Sequence, residues 1–405
     1  MDFCLQVTII IYDNKGNSKM STINSESVLR NSAVANRINR RRLIASAMGA
    51  TATVLAAPYL VRRARAAGQI NLLGWAEEMP QAIIDLFAKK TGIQIKITPF
   101  SSNEEQMNKL MATGGEGFDL CQPTVDRAAQ FRDLGVLAPI DTNKVPVDRI
   151  LPAVMDGMKA WHFDGGLYSL PHCWGTEAIG WRSDLTTLEY RTLSYGTLWQ
   201  DEYVGKMQGK PDTLLLGIGL WFDASGKLPS NRMLDSYKDE STMRKIYEEL
   251  LAFAVSKKTQ VRQFFETSDV VKSGFMENGC VIGQVWDGPC FALKREGKPV
   301  RYMAPREGAQ SWIDGLSIVA NAANSGETYE FLKFLYTPEI SGMVAEGSGY
   351  NGVMQGVDAF LSEETKKNFA EAYPEDALSK LWNRQEEPAW YGTIRNEYSE
   401  RFKAA

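Results

Sequence analysis

Between Ile70 and Gly135 short apolar strands alternate with amphipathic helices, and that alternation limits what this chain can fold into. "INLLGW" reads as a strand, and "PQAIIDLFAKKTG" as a helix that starts at Pro80 and stops at Gly92. "IQIKITPF" alternates apolar and polar residues as a strand does. "NEEQMNKLMATGG", "FDLCQP" and "DRAAQFRDLG" continue as helix, buried strand and helix. A β-α-β-α-β-α order predicts an α/β fold with a sheet covered on both faces, whose ligands sit outside the carboxyl ends of the strands. Trp75 with its two acids lies at one such end, and "PTVD", Pro123 to Asp126, lies at another.

Length adds a second constraint: 405 residues with 44% hydrophobic content exceed what one core usually serves, so two lobes are expected. Two apolar runs, "LYSLPHCWGTEAIGW" and "WIDGLSIVAN", read as continuous strands that pass between the lobes, and the helices of "TYEFLKFLYTPEISGMVAEGSGY" return to the first. Repeated crossings make the lobes rigid bodies about a hinge.

Charge and cysteines exclude several classes. A net charge of -4 with interspersed signs argues against nucleic acid. Five cysteines without a C-x-x-C pair and only two histidines argue against a zinc or redox site, so no metal or cofactor is expected. Cys280 and Cys290 read as buried thiols rather than a disulfide. Arg40, Arg41 and Arg42 precede a mildly apolar run to Val61 and the small-x-small site Ala64-Arg65-Ala66, a pattern that resembles a twin-arginine export signal. Residues 1–19 read as an over-extended start ahead of Met20. Residues 1–66 are thus an upstream extension plus signal, and the exported chain starts near Ala67.

Three strings, "GWAEEM", "VWDGP" and "SWIDG", each place an acid within a few residues of a Trp at a strand end, with no basic residue among them. Indole faces attract cations, and carboxylates hydrogen-bond ammonium groups, so together they suit an amine with an alkyl stem. Glu77 reads equally as an acid at a helix N-terminus, and Asp287 equally as a turn residue. Trp161, Trp174, Trp181, Trp199, Trp221, Trp382, Trp390, His162 and His172 read as packing residues. Carboxylates beside Trp also occur in glycoside hydrolases, but no nucleophile elbow, zinc-protease or P-loop pattern is present, and no enzyme is expected.

The strings "INLLGWAEEMPQAIIDLFAKKTGIQI", "GFDLCQPTVDRAAQFRDLGVLAPID", "YSLPHCWGTEAIGWRSD", "VIGQVWDGPCFALKREG", "WIDGLSIVANAAN" and "GSGYNG" resemble, in order and spacing, the spermidine/putrescine-binding periplasmic proteins that serve ABC importers. The resemblance covers about residues 70 to 402. It implies a two-lobed periplasmic-binding-protein fold, each lobe a mixed sheet flanked by helices and joined by hinge strands, with 67–178 and 313–362 in lobe 1 and 179–312 and 363–405 in lobe 2. It further implies a periplasmic monomer that binds a putrescine- or spermidine-like amine and hands it to membrane permease subunits. Carried over residue by residue, it assigns ligand contacts to Trp75, Thr124, Trp286, Trp312, Asp314, Tyr350 and Gln385, with Asp212 at one terminal amine. Glu78 and Asp126 stand where polyamine binders commonly carry Tyr, and Leu215 where a second carboxylate is expected. The acids have therefore moved, which leaves another small amine, a γ-amino acid or a quaternary amine as alternatives. A carboxylate-bearing ligand would require a cleft cation, for which Arg127 and Arg384 are the candidates.

Overall fold

In a computed structural model of the chain, the described residues are 7–12, 18–23 and 68–405. The export signal read from residues 40–66 lies outside them. Val7–Tyr12 and Ser18–Ile23 pair as an antiparallel hairpin. Ala64–Ala405 form a separate compact unit. Among the described residues no helix is long and apolar enough to cross a membrane.

The expected alternation is present from the start of the second unit. Strand Gln69–Gly74 leads to helix Gln81–Thr91, which buries Ile83, Ile84 and Phe87 and stops at Gly92, whose positive φ a Cβ would strain. Strand Gln94–Pro99 follows, then helix Asn103–Thr113, whose first turn is capped by the Ser102 hydroxyl accepting from the Glu105 amide at 3.1 Å. The buried strand expected in "FDLCQP" is only Leu120–Cys121. Pro123 lacks the N–H a longer ladder needs, and Thr124 makes only an isolated bridge to Asp314.

Eleven strands make one α/β sheet. At one end Gln69–Gly74 runs parallel to Gln94–Pro99 and to Leu120–Cys121. At the other, Met207–Gly209 runs parallel to Val261–Phe264 and to Ile282–Trp286. Between these two parallel sets stand the long strands Leu170–Arg182 and Gln310–Val319, antiparallel to each other. Each borders one set: Gln310–Val319 pairs with Leu120–Cys121, and Leu170–Arg182 with Ile282–Trp286. Both are almost wholly buried, which is why they read as unbroken apolar runs rather than as alternating ones. The core divides in the same way. One pair of apolar clusters gathers around Leu72, Phe87, Phe131 and Phe331, the other around Trp181, Tyr247, Phe275 and Tyr391.

Candidate functional site

Parallel strands leave their carboxyl ends free to carry side chains into a common space. Trp75 follows strand Gln69–Gly74, Thr124 lies just beyond Leu120–Cys121, Lys210 follows Met207–Gly209, and Trp286 closes Ile282–Trp286. These four meet in one cavity of about 70 Å³, together with Glu77, Glu78, Asn103, Trp312, Asp314, Tyr350 and Arg384.

Local backbone irregularities aim two of these groups. Trp312 pairs across the sheet with Gly175, where an added Cβ would stand 2.5 Å from the indole, so glycine makes the room for the ring. Immediately beyond, the ladder slips between Asp314 and Gly315, a bulge of the kind that redirects side chains at binding sites. Asp314 bridges Thr124 there, and the Gly315 amide donates to the Pro123 carbonyl at 2.9 Å. Tyr350 meets Trp312 edge to face at 4.8 Å between centroids, and Trp75 packs on Phe100 at 4.2 Å.

A polar frame holds the walls. The buried Gln122 accepts from the Trp75 amide at 2.9 Å and donates to Glu78 Oε2 at 3.3 Å, which fixes both neighbours. Asn103 Nδ2 donates to Thr124 Oγ1 at 2.8 Å. Ser268 Oγ donates to Glu77 Oε1 at 3.2 Å and lies 3.4 Å from the Tyr350 hydroxyl.

Electrostatically the centre of the cavity is the carboxyl pair Glu78 and Asp314, 3% and 5% exposed. Among the described residues neither forms an ion pair, and Asp314 Oδ1 is buried without a hydrogen-bond partner. Burial, then the neighbouring Asp314 charge and hydrogen bond, push Glu78 well above the usual carboxylate range. Burial also pushes Asp314 up, to about 6, although hydrogen bonds from Glu78 and Thr124 oppose it. The two carboxyls therefore titrate as one coupled pair, both raised by burial.

Seven of the ten residues expected at a ligand line this cavity: Trp75, Glu78, Thr124, Trp286, Trp312, Asp314 and Tyr350. Three do not. Asp126 and Asp212 lie in an adjoining ion-pair network. Arg384 Nη1 stands 3.3 Å from Asp126 Oδ2, Arg395 Nη1 stands 3.2 Å from Asp212 Oδ2, and Arg127 Nη1 stands 2.5 Å from Glu387 Oε2. Against burial, Arg127, Arg384 and Arg395 hold Asp126 below its ordinary range, and Lys210, Arg395 and Arg384 do the same for Asp212. Gln385, half-buried, donates to the Asn383 carbonyl at 2.6 Å. Arg127 sits within the network rather than on the cavity wall, whereas Arg384 reaches both. Sequence reading missed Lys210, Asn103 and Gln122. Lys210 precedes the recognised "PD" by one position, which is the signal that could have found it.

Two further features adjoin the cavity. Glu78, His172 and Cys173 bring one donor atom each within 4.8 Å of one another, all buried. Burial pushes His172 down to about 4 and Cys173 up, so the imidazole is neutral and the sulfur holds its proton. His172 Nε2 is already hydrogen-bonded to the Glu78 carbonyl at 2.9 Å. A larger cavity of about 250 Å³ shares Tyr350, but its walls are mainly Leu151, Trp174, Phe291, Val357 and Phe369, and it holds no paired buried acids. All four cysteines among the described residues are free and buried.

Comparison with known proteins agrees with this architecture. A spermidine/putrescine-binding periplasmic protein of Escherichia coli K12 is 27% identical over 82% of this chain and 90% of its own length. The putrescine-binding periplasmic protein PotF of the same organism is 25% identical over 77% of this chain and 85% of its own. Among solved structures, a putative spermidine/putrescine ABC transporter protein from Listeria monocytogenes superposes with a TM-score of 0.69 at 21% identity, covering 83% of this chain and 99% of that one. These are binding proteins and not enzymes, which sets aside the glycosidase reading of the Trp and acid pairs. The family model described as bacterial extracellular solute-binding protein matches residues 82–372, and this chain belongs to that family.

Proposed function

We propose that this protein is the periplasmic receptor of an ABC importer and that it captures a short alkyl amine in the Trp75, Trp286, Trp312 and Tyr350 cavity. One observation carries the reading: two buried carboxyls, Glu78 and Asp314, face an aromatic space with no cation paired to them among the described residues. Uncompensated buried acids are costly, and an ammonium group that enters as the ligand removes that cost. The indole faces add roughly 0.5 to 2 kcal/mol each for a cation held against them as water is excluded. The names of its relatives point to the same ligand chemistry, putrescine or spermidine.

In this reading residues 67–178 and 313–362 form one lobe, 179–312 and 363–405 the other, and the cavity lies at their junction. Ion pairs from Glu104, Asp126 and Arg127 to Arg384, Glu387 and Arg395 then hold the lobes together. The closed form is what a membrane permease would recognise, and ligand binding shifts the population toward it.

A thermal-shift panel tests the reading. A ligand at about 100 times its Kd adds roughly 2.7 kcal/mol of stability. Putrescine, cadaverine, spermidine, γ-aminobutyrate, betaine and glucose should divide into short amines that raise the Tm and the rest that do not. Trp312→Ala should weaken the bound amine at least about tenfold, through loss of a desolvated cation contact. A panel in which no amine shifts the Tm rejects the proposal.

A further inference from the structure

The cavity wall carries donors as well as acceptors. Trp75 Nε1, Trp312 Nε1 and Arg384 Nε belong to residues that line the cavity, and each is buried without a hydrogen-bond partner. Lys210 lines it as well, with its ammonium 5.3 Å from the centroid of the Trp286 ring. That ammonium is tied only loosely, 3.8 Å from a Glu266 carboxylate whose side chain is 52% exposed. Arg384 has its charge matched already by Asp126 at 3.3 Å and Glu177 at 3.8 Å, whereas Lys210 acts on Asp212 from beyond ion-pair distance and is the less closely paired cation of the cavity.

A diamine suits this arrangement at one end only. Its first ammonium finds Glu78 and Asp314, but its second meets a lysine ammonium on the Trp286 face, where a cation would otherwise stack. Every hydrogen it brings there is a donor, and the unpartnered indole and guanidinium N–H groups stay unmatched, which is costly for buried groups. A carboxylate at that end reverses each term: it accepts from the N–H groups and neutralises Lys210. A zwitterion also leaves the net charge of the cavity unchanged, whereas a dication adds two positive charges.

We propose that the ligand is a short ω-amino acid, with its ammonium at Glu78 and Asp314 and its carboxylate at Lys210 beside the indole N–H groups. The inference rests on the amine-receptor reading above and departs from it only in the chemistry of the ligand's far end.

Calorimetric titration of the whole protein at pH 7.5 tests it with two pairs matched in chain length: γ-aminobutyrate against putrescine, and δ-aminovalerate against cadaverine. The amino acid of at least one pair should bind about tenfold or more tighter than its diamine. Lys210→Met should weaken the amino acid by about tenfold without weakening the diamine, and Lys210→Arg should retain amino-acid binding. Tighter binding of both diamines by the unaltered protein overturns this inference and leaves the amine-receptor reading standing. Lys210→Met variants that bind all four ligands more tightly overturn it too, because Lys210 would then be an obstacle rather than a contact. No heat from any of the four overturns both.

Discussion

Asp314→Asn should stabilise the empty protein while it impairs ligand binding, and the gain should grow with pH. Burial raises the Asp314 carboxyl from its ordinary value of 3.8 to about 6. The folded state therefore holds this proton more tightly than the unfolded chain does, so the stability it contributes is fully present below pH 3.8 and falls as pH rises through about 6. At about 1.4 kcal/mol per pH unit, the loss reaches about 3 kcal/mol at pH 7.5, against about 1 kcal/mol at pH 4.5. Asparagine keeps the shape and carries no charge, so the variant escapes that loss. The figure is a ceiling, because Glu78 releases its own proton more readily once Asp314 is neutral, which restores part of the buried charge. Urea unfolding of both proteins at pH 4.5, 6 and 7.5, without ligand, reads the difference directly from the midpoints. An advantage for the variant that is absent, or flat across these pH values, would refute the claim that the pair is an uncompensated buried charge. Calorimetry on the same variant should show the amine bound at least about tenfold more weakly, since one of the two carboxyls that meet the ammonium is lost.

Three further outcomes are expected. Gly175→Ala sets a methyl 2.5 Å from the Trp312 ring and 2.8 Å from an Asp287 oxygen, so it should displace the indole and weaken ligand binding about tenfold, measured by titration; undiminished affinity would mean that the ring position is not needed. Glu387→Gln removes the carboxylate facing Arg127 and Arg395 in a buried network, and should destabilise the protein by about 3 kcal/mol in urea unfolding, with loss of less than about 1 kcal/mol counting against the network. Burial raises the thiols of Cys121, Cys173, Cys280 and Cys290, Cys280 to about 12, so a thiol reagent at pH 8 should find none of these four in the native protein and all of them after denaturation.

What the sequence determined by itself is the local and periodic part of this protein. The helix and strand alternation from Ile70 to Gly135, the glycine stops at Gly92 and Gly114, and the long apolar runs of the two central strands all follow from side-chain periodicity and backbone preference within a few residues. A Trp beside an acid at a strand end marks Trp75 and Trp286 for the same reason, whereas Trp312 and Asp314, expected at such an end, lie within strand Gln310–Val319. The tertiary structure alone decided which charges are matched. Asp126 and Asp212 look in the sequence like the other acids, yet Arg384 and Arg395 meet them from 258 and 183 positions away. Glu78 and Asp314 become a proton-sharing pair only because the slip beside Asp314 brings the carboxyl of one strand against the loop of another. Lys210 becomes a wall of the cavity only because its parallel strand ends beside that of Trp286. Coulomb energy and desolvation depend on distances through space, and distances through space are set by packing that no local pattern encodes.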